Sequence, residues 1–412
     1  MARMGYGKVL IIVVLLALSG TAGAQQYRSK LLLNPGRALS ESAAASIDEL
    51  EARFADIEQD YARASAGSQL ARHHVQQGNY EKAIAYYQSA LSTQGLAPIV
   101  QADLRRELAE VYLHTRQPAQ ALEALQALGS WETFSDPDVL LTYGRAQSML
   151  GNYLAVADCL DRLLQLASPE QQGLYQRMVV LAYGIQDYQR SAAILEGLLE
   201  HFPGQADYWF QLVSVLLKLG QHQSALDYLL MAQWQGITFS QQNILLLAGL
   251  HATQGNPYAG AKVLEQALDT GVVAESGDHY RLLFEYWLQA RERERALAAL
   301  ARAARLSGDA ELFLYWAQQL MEQARWGEMN GVIRELCQAG IGPRYVGRAN
   351  LMLGISEYGL GKKAAAYRAF ANATLSGGVN TQAGHWLTKL ESEGVQGRVA
   401  ASVSGPCQAA VP

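Results

Sequence analysis

A repeating arrangement of apolar and small positions runs through most of the chain. Its clearest copy is Gly78–Leu91, where Tyr80, Ala83 and Tyr87 stand two, five and nine residues after a glycine. Spacings of three and four residues place side chains on one face of a helix. The glycine suits a turn between two helices, because it adopts a positive φ without strain. The pattern predicts a helical hairpin.

The same pattern recurs along the sequence at intervals of 33 to 38 residues. The predicted turn positions are Gly78, Arg116, Gly151, Gln186, Gly220, Gly255, Arg291, Ala324 and Gly361. A large apolar residue follows each turn by nine positions, from Tyr87 in the first copy to Phe370 in the last. Several copies also carry a small residue five positions after the turn. Recurrence at this period predicts a stack in which each hairpin buries its apolar face against its neighbours.

The residues GNYEKAIAYYQSAL of Gly78–Leu91 resemble the tetratricopeptide repeat (TPR) family, whose period is about 34 residues. The resemblance covers about Ser65 to Ser376. It implies an all-α fold, a right-handed superhelical TPR solenoid of about nine helical hairpins. The copies at Arg291 and Ala324 are the least regular in sequence.

The first 24 residues have the pattern of an export signal. Two basic residues precede the apolar run Val9–Leu18, and the small residues Ala22–Ala24 follow it. This predicts a signal peptide over residues 1–24, cleaved in the mature protein, and therefore a periplasmic location. An uncleaved anchor is the alternative, although ten apolar residues are fewer than the roughly 20 that span a bilayer. After cleavage, the sequence predicts no direct membrane span.

Helical patterns flank the repeats on both sides. Residues 25–39 are expected to be mobile, and residues 40–64 are predicted to form one helix. That helix has an apolar stripe at alternating spacings of three and four: Ile47, Leu50, Phe54, Ile57 and Tyr61. It either caps the first repeat or docks on a partner. We expect the solenoid at 65–376, a C-terminal capping helix at 377–393 and a disordered tail at 394–412.

The net charge and the lack of catalytic or metal-binding motifs argue against nucleic-acid binding, catalysis and metal binding. Loss of Arg3 and Lys8 with the signal peptide takes the formal charge from −5 to −7. Such mild acidity gives no support to nucleic-acid binding, which usually leaves a basic footprint. The sequence contains no nucleophile–base motif and no spaced set of metal ligands, so we expect no catalytic residues, no metal and no cofactor. Gly354–Lys363 (GISEYGLGKK) superficially resembles a phosphate loop, but its spacing fits a helical turn better.

The chain has three cysteines, an odd number for an exported protein. Cys159 and Cys337 fall on predicted helices more than four repeats apart, too far for a disulfide within a stack. We expect both to be small buried thiols. Cys407, in the tail, is a candidate for pairing between chains.

Binding in TPR solenoids is expected on the concave face, which the first helix of each hairpin lines. The repeat phase places these residues there: Arg72, Gln76, Arg106, Glu110, Arg145, Met149, Arg177, Tyr183, Phe210 and Gln211, followed by Ser214, Leu245, Glu285, Tyr315 and Gln318. Four arginines on this face of an acidic protein suggest that it binds an acidic or C-terminal peptide, because guanidinium groups pair with carboxylates. Alternatively, these arginines are ordinary charges paired with neighbouring Glu and Asp.

A narrower resemblance concerns the first repeats. Tyr61–Tyr87, followed by Leu104–Leu113, is similar to the exported TPR proteins found with the TonB–ExbB–ExbD energy-transduction system of Gram-negative bacteria. That resemblance implies a non-catalytic periplasmic scaffold that supports TonB-dependent uptake of iron complexes. The alternative is an assembly factor for cell-envelope polymers, in polysaccharide export or wall growth.

Overall fold

The turns predicted between paired helices share one backbone geometry. All nine predicted turn residues lie in the left-handed region, with φ between 55° and 85°. At each turn, the amide of the next residue donates to the carbonyl five positions before it, over 2.7–3.0 Å. This bond satisfies a carbonyl that the last helical turn leaves open. The predicted repeat phase is confirmed at these turns, including those at Arg291 and Ala324.

A computed structural model describes residues 43–93, 96–168, 170–375, 378–395 and 407. The predicted signal peptide 1–24, the segment 25–39 and most of the tail 394–412 lie outside these residues. The regular structure in the described part is helical, and it contains no strand. The chain divides into two compact units, Met1–Val111 and Tyr112–Pro412.

The first unit contains the N-terminal helices. They are α1 (Ala43–Arg53), a 3-10 turn at Phe54–Asp56, α2 (Asp60–Gln76), α3 (Tyr80–Ser92) and most of α4 (Pro98–His114), the helix at which the two units meet in sequence. Helices α2 and α3 pack together as the first hairpin.

The second unit contains the remaining helices. They are α5 (Pro118–Gln126), α6 (Pro137–Met149), α7 (Tyr153–Leu166), α8 (Gln172–Gly184), α9 (Tyr188–His201), α10 (Ala206–Lys218), α11 (His222–Trp234), α12 (Gln241–Thr253), α13 (Pro257–Asp269), α14 (Gly277–Gln289), α15 (Arg293–Ser307), α16 (Ala310–Glu322), α17 (Trp326–Ala339), α18 (Pro343–Gly359), α19 (Lys363–Thr374) and α20 (Asn380–Ser392). From α6 onward, each even-numbered helix packs against the odd-numbered helix that follows it, and each such pair packs on the next.

Side-chain size explains this packing. The small residues five positions after the turn are fully buried at Ala83, Ala121, Ser191, Ala225 and Ala366. At Gly260 an added Cβ would lie 2.5 Å from the carbonyl oxygen of Ala248, so even a methyl group is too large. The large residues nine positions after the turns, Tyr87 to Phe370, are at most 2% exposed. The predicted all-α fold of helical hairpins is confirmed.

The N-terminal segment differs from its prediction. In place of one helix over residues 40–64, α1 ends at Arg53, and Ile57 and Gln59 have extended backbones. The reason is tertiary packing. Phe54 contacts the ring of Tyr86 edge-on, with centroids 5.1 Å apart, so the chain must turn there before α2 begins at Asp60. The last five residues of the predicted helix therefore belong to the first hairpin.

The C-terminal end brings a second correction. Cys337 of α17 is joined by a disulfide to Cys407, with their Cα atoms 4.9 Å apart, and Cys407 is buried. The expectations of a free thiol at Cys337 and of pairing between chains at Cys407 are therefore wrong. The spacing of the repeats shows which helix carries Cys337. It does not show where Cys407, beyond the last helix, lies in the fold. Cys159 is a buried free thiol, as expected.

Candidate partner-binding face

Arg72 forms the tightest contact among the predicted arginines. Its Nε and NH2 groups donate to the two carboxylate oxygens of Glu107 over 2.8 and 3.0 Å, and the Tyr87 hydroxyl donates to the same carboxylate over 2.9 Å. Burial alone would lower the pKa of the Arg72 guanidinium, because it disfavours the charged form. The hydrogen bonds to the Glu107 carboxylate outweigh burial, so the pKa of Arg72 is raised. Burial and the Glu107 carboxylate likewise raise the pKa of Tyr87. Arg72 is thus engaged within the chain.

The other predicted arginines differ in their contacts. Arg106 pairs with Glu110 at 3.0 Å, and Arg177 pairs with Asp138 at 2.7 Å. Arg145 is exposed and has no ion pair within the described part of the chain. The Arg177–Asp138 pair is exposed, and an exposed pair contributes about 0–1 kcal/mol to stability, so it does not exclude a ligand. Both pairs match the alternative of ordinary paired charges.

The remaining predicted residues of the early hairpins lie on partly open surface. Gln76, Gln211 and Met149 are exposed, and Met149 keeps 46% of its surface accessible. Tyr183 packs edge-on against Tyr188, and Phe210 packs edge-on against Phe239, each with centroids 5.4 Å apart. The first contact joins the two helices of one hairpin, and the second joins α10 to the connection between α11 and α12.

An open apolar cavity lies within the second unit. It has a volume of about 450 Å³ and lies among the consecutive first helices α10, α12 and α14, with the start of α11 at one side. Its walls are Leu217, His222, Leu245, Leu246, Gly249, Leu250, Ala252, Thr253, Tyr286 and Gln289. Volumes of 300–1,000 Å³ are typical of ligand sites. Leu245 is a predicted face residue that lines this cavity.

The cavity exists because α12 has a glycine at a repeat position where the early hairpins have large side chains. Six residues before the turn, the early hairpins carry Arg72, Glu110 and Arg145, whereas α12 carries Gly249. A Cβ built at Gly249 would meet only the Tyr286 hydroxyl within 4 Å, at 3.5 Å. Nothing else fills that space. Comparison of this position between repeats is the sequence signal that could have revealed the cavity.

Polar groups border the cavity, but no charged side chain does. The Tyr286 hydroxyl, the Gln289 amide and the His222 ring make no hydrogen bond to other residues that the structure describes. Burial raises the pKa of Tyr286, so its hydroxyl remains a donor at neutral pH. The Thr253 hydroxyl is committed to the Gly249 carbonyl over 3.0 Å. The site therefore offers apolar walls with three uncommitted polar groups.

The described residues offer neither a metal site nor a membrane-spanning helix. Within residues 43–93, 96–168, 170–375, 378–395 and 407, no three His, Cys, Asp or Glu residues are grouped so as to hold a metal ion. The helices of this same part include none with the length and apolar character needed to cross a membrane.

The fold is similar to that of several solved structures. A TPR protein from Parabacteroides merdae is 15% identical, covering 63% of this chain and 98% of its own, with a TM-score of 0.37. The pilF protein of Pseudomonas aeruginosa is 20% identical, covering 55% and 93%, with a TM-score of 0.34. The Naa15/Naa10 complex bound to HypK-THB is 13% identical, covering 80% and 52%, with a TM-score of 0.49. At these values, the likenesses carry no argument about function.

Sequence comparison gives the family of the repeats. One tetratricopeptide repeat model matches residues 74–139, and a second matches residues 39–95 and 177–238. No curated protein matches the chain. Repeats of this kind act as scaffolds for protein–protein interaction and are typically non-catalytic. Tetratricopeptide repeats thus match residues 39–139 and 177–238, in both units, and the same turn geometry recurs at every predicted turn.

Proposed function

We propose that this protein is a non-catalytic scaffold that holds an uncharged, apolar segment of a protein partner in the cavity between α10, α12 and α14. The observation that carries the proposal is the composition of the cavity walls. Four leucines line it, and the ten lining residues include no Asp, Glu, Lys or Arg. A charged segment would lose its hydration there without gaining an oppositely charged partner, which costs free energy. An apolar segment carries no charge to desolvate, so its burial there has no such cost.

The size of the cavity indicates what it holds. Full burial of one Leu or Phe side chain contributes about 1.5–3 kcal/mol, and micromolar binding needs about 8 kcal/mol. One anchoring side chain is therefore insufficient alone. Leu288 of α14 and Val180 of α8, 42% and 72% exposed, are further accessible apolar side chains on first helices of the second unit. Tyr286, Gln289 and His222 are placed to bond the backbone of a bound segment.

The test of the cavity uses two matched glycine substitutions. Gly249→Lys places a long charged side chain in the cavity, while Gly331→Lys makes the same change at an exposed helical position with open space around it. Peptides are selected from a random library on the purified chain. We expect uncharged apolar peptides whose affinity falls about tenfold or more in G249K and is unchanged in G331K. Equal binding by both variants would refute the cavity as the site.

We also propose that the protein works in the periplasm. The N-terminal pattern of residues 1–24 supports export, and the Cys337–Cys407 disulfide independently supports an oxidising compartment, because cytosolic thiols are kept reduced. Fractionation of the source cells, with mass determination of the mature chain, tests this. Recovery in the cytosol with an intact N-terminus would contradict it.

For the partner, we propose the TonB–ExbB–ExbD complex, on the resemblance of residues 61–87 and 104–113 to exported TPR accessories. Affinity purification from solubilised envelope tests it. Enrichment of TonB, ExbB or ExbD that is lost in G249K supports both the partner and the cavity. Enrichment of polysaccharide-export or wall-growth proteins instead would replace this partner with the envelope-assembly alternative.

The same purification separates the arginine hypothesis from the cavity. Arg145→Glu is the informative change, because Arg145 has no ion pair among the described residues, whereas Arg72→Glu would set two carboxylates against each other at Glu107. Binding through the cavity predicts unchanged recovery with R145E. Lost recovery with R145E and retained recovery with G249K would favour an acidic ligand on the arginines.

A further inference from the structure

Cys407 is fixed to the repeats by more than its sulfur. Its carbonyl oxygen accepts a hydrogen bond from the Asn350 side chain over 2.8 Å, and Asn350 is itself buried in α18. The Cys407 residue is 1% exposed and belongs to the same apolar core as Leu336 of α17 and Ala349 of α18. A single residue near the chain end is thus bonded to two helices.

We propose that the disulfide between Cys337 and Cys407 closes the C-terminal end of the repeat stack and protects it against local opening. The bond joins residues 70 positions apart, and the covalent loop contains α18, α19 and α20. A terminal hairpin has a neighbour on one side only, so its local opening costs less than opening in the middle of the array. A cross-link around it removes many of the open conformations and protects the end.

The chemistry requires an oxidising partner. Joining the two sulfurs releases two protons and two electrons. A disulfide of a thiol–disulfide oxidoreductase accepts them and becomes a dithiol, through a mixed-disulfide intermediate formed by attack of one thiolate. Cys159 is not a competing partner. It is fully buried in α7, and its thiol donates to the Leu140 carbonyl over 3.0 Å.

Thiol counting tests the site itself. The chain is purified from its own compartment, denatured and alkylated with and without a reductant. We expect one alkylated cysteine, Cys159, before reduction and three after it. Three alkylated cysteines without reduction would overturn the proposal.

Hydrogen exchange tests the protective role. In Cys407→Ser, exchange in α18, α19 and α20 is expected to be about tenfold or more faster, with α8–α11 unchanged. A reductant should reproduce this change in the wild-type chain and add nothing to C407S. Unchanged exchange at the C-terminal end, or equal acceleration throughout the second unit, would refute the closing role. This outcome is independent of peptide binding at the cavity.

Discussion

At the residue scale, two glycines of α18 lie where neighbouring rings leave no room for a side chain. A Cβ at Gly354 would lie 2.5 Å from ring carbons of Phe370, and one at Gly359 would lie 2.5 Å from the ring of Trp326. These contacts explain the glycines of Gly354–Lys363, the stretch that superficially resembles a phosphate loop. The glycines permit close helix packing, and the left-handed turn follows at Gly361.

Substitution of these glycines should therefore destabilise the chain. Gly354→Ala is expected to lower the free energy of unfolding by about 1–3 kcal/mol, because Phe370 is fully buried and cannot move aside. Gly359→Ala should cost less, since Trp326 is only half-buried. Gly331→Ala is the control and should raise stability by up to about 1 kcal/mol, as alanine favours helix. Urea unfolding measures all three; equal effects would contradict the packing argument.

The turns give a prediction of opposite sign. Ala324 occupies the left-handed region at φ 55°, which is unfavourable for a residue with a Cβ. Ala324→Gly should stabilise the chain by about 0.5–1 kcal/mol, the removed strain exceeding the added flexibility of the unfolded state. Thermal unfolding provides the measurement. A lower melting temperature would show that the side chain of Ala324 makes contacts that outweigh its backbone strain.

At the element scale, the Glu51 carboxylate bonds α1 to the first hairpin. Glu51 accepts hydrogen bonds from Lys82 over 2.9 Å and from the Tyr86 hydroxyl over 3.1 Å, and it lies 3.3 Å from the buried His74 ring. The bond from Lys82 is the main reason why the pKa of Glu51 lies below its ordinary value of 4.5. Attachment of α1 is what the capping interpretation of this segment expects.

The attachment should weaken in acid. Because the folded pKa of Glu51 is lowered, its stabilising contribution is fully present above pH 4.5 and is lost as the pH falls through the folded pKa. Glu51→Gln should reduce hydrogen-exchange protection of α1 at pH 7 and remove the pH dependence of that protection. Glu49→Gln, at an exposed position of the same helix, is the control. Equal protection in E51Q and wild type would contradict this role of Glu51.

Elements that depend on local pattern were predictable, and those that depend on distant contacts were not. The turns followed from sequence because each needs only a left-handed residue and a nearby carbonyl, as the bond from Asn79 to His74 shows. The break after Arg53 did not, because the contact between Phe54 and Tyr86 determines it. Cys407 was missed for the same reason. The cavity could have been predicted from Gly249, because this residue has no side chain at a position where the early hairpins have large ones.

At the scale of the whole molecule, charges and apolar surface are distributed differently along the second unit. Toward its C-terminal end, most charged groups are paired, as in Arg325 with Glu294 and Glu328, and Arg334 with Glu357. Burial alone would raise the pKa of Glu357. The hydrogen bonds from Arg334 and Asn330 outweigh burial, so the pKa of Glu357 is lowered and its carboxylate stays ionised. The cavity of α10, α12 and α14 instead leaves apolar surface and polar groups uncommitted, which singles it out for a partner.

The most direct test of the cavity as the binding site is photo-crosslinking from its rim. A benzophenone amino acid replaces Thr253, an exposed residue of the cavity wall, and in a second chain it replaces Gly331 on the exposed surface of α17. Each chain is irradiated with a library-selected peptide. Our account predicts a crosslink from position 253 that G249K abolishes, and none from position 331. Equal crosslinking from both positions, or crosslinking from 253 that G249K leaves unchanged, would contradict it.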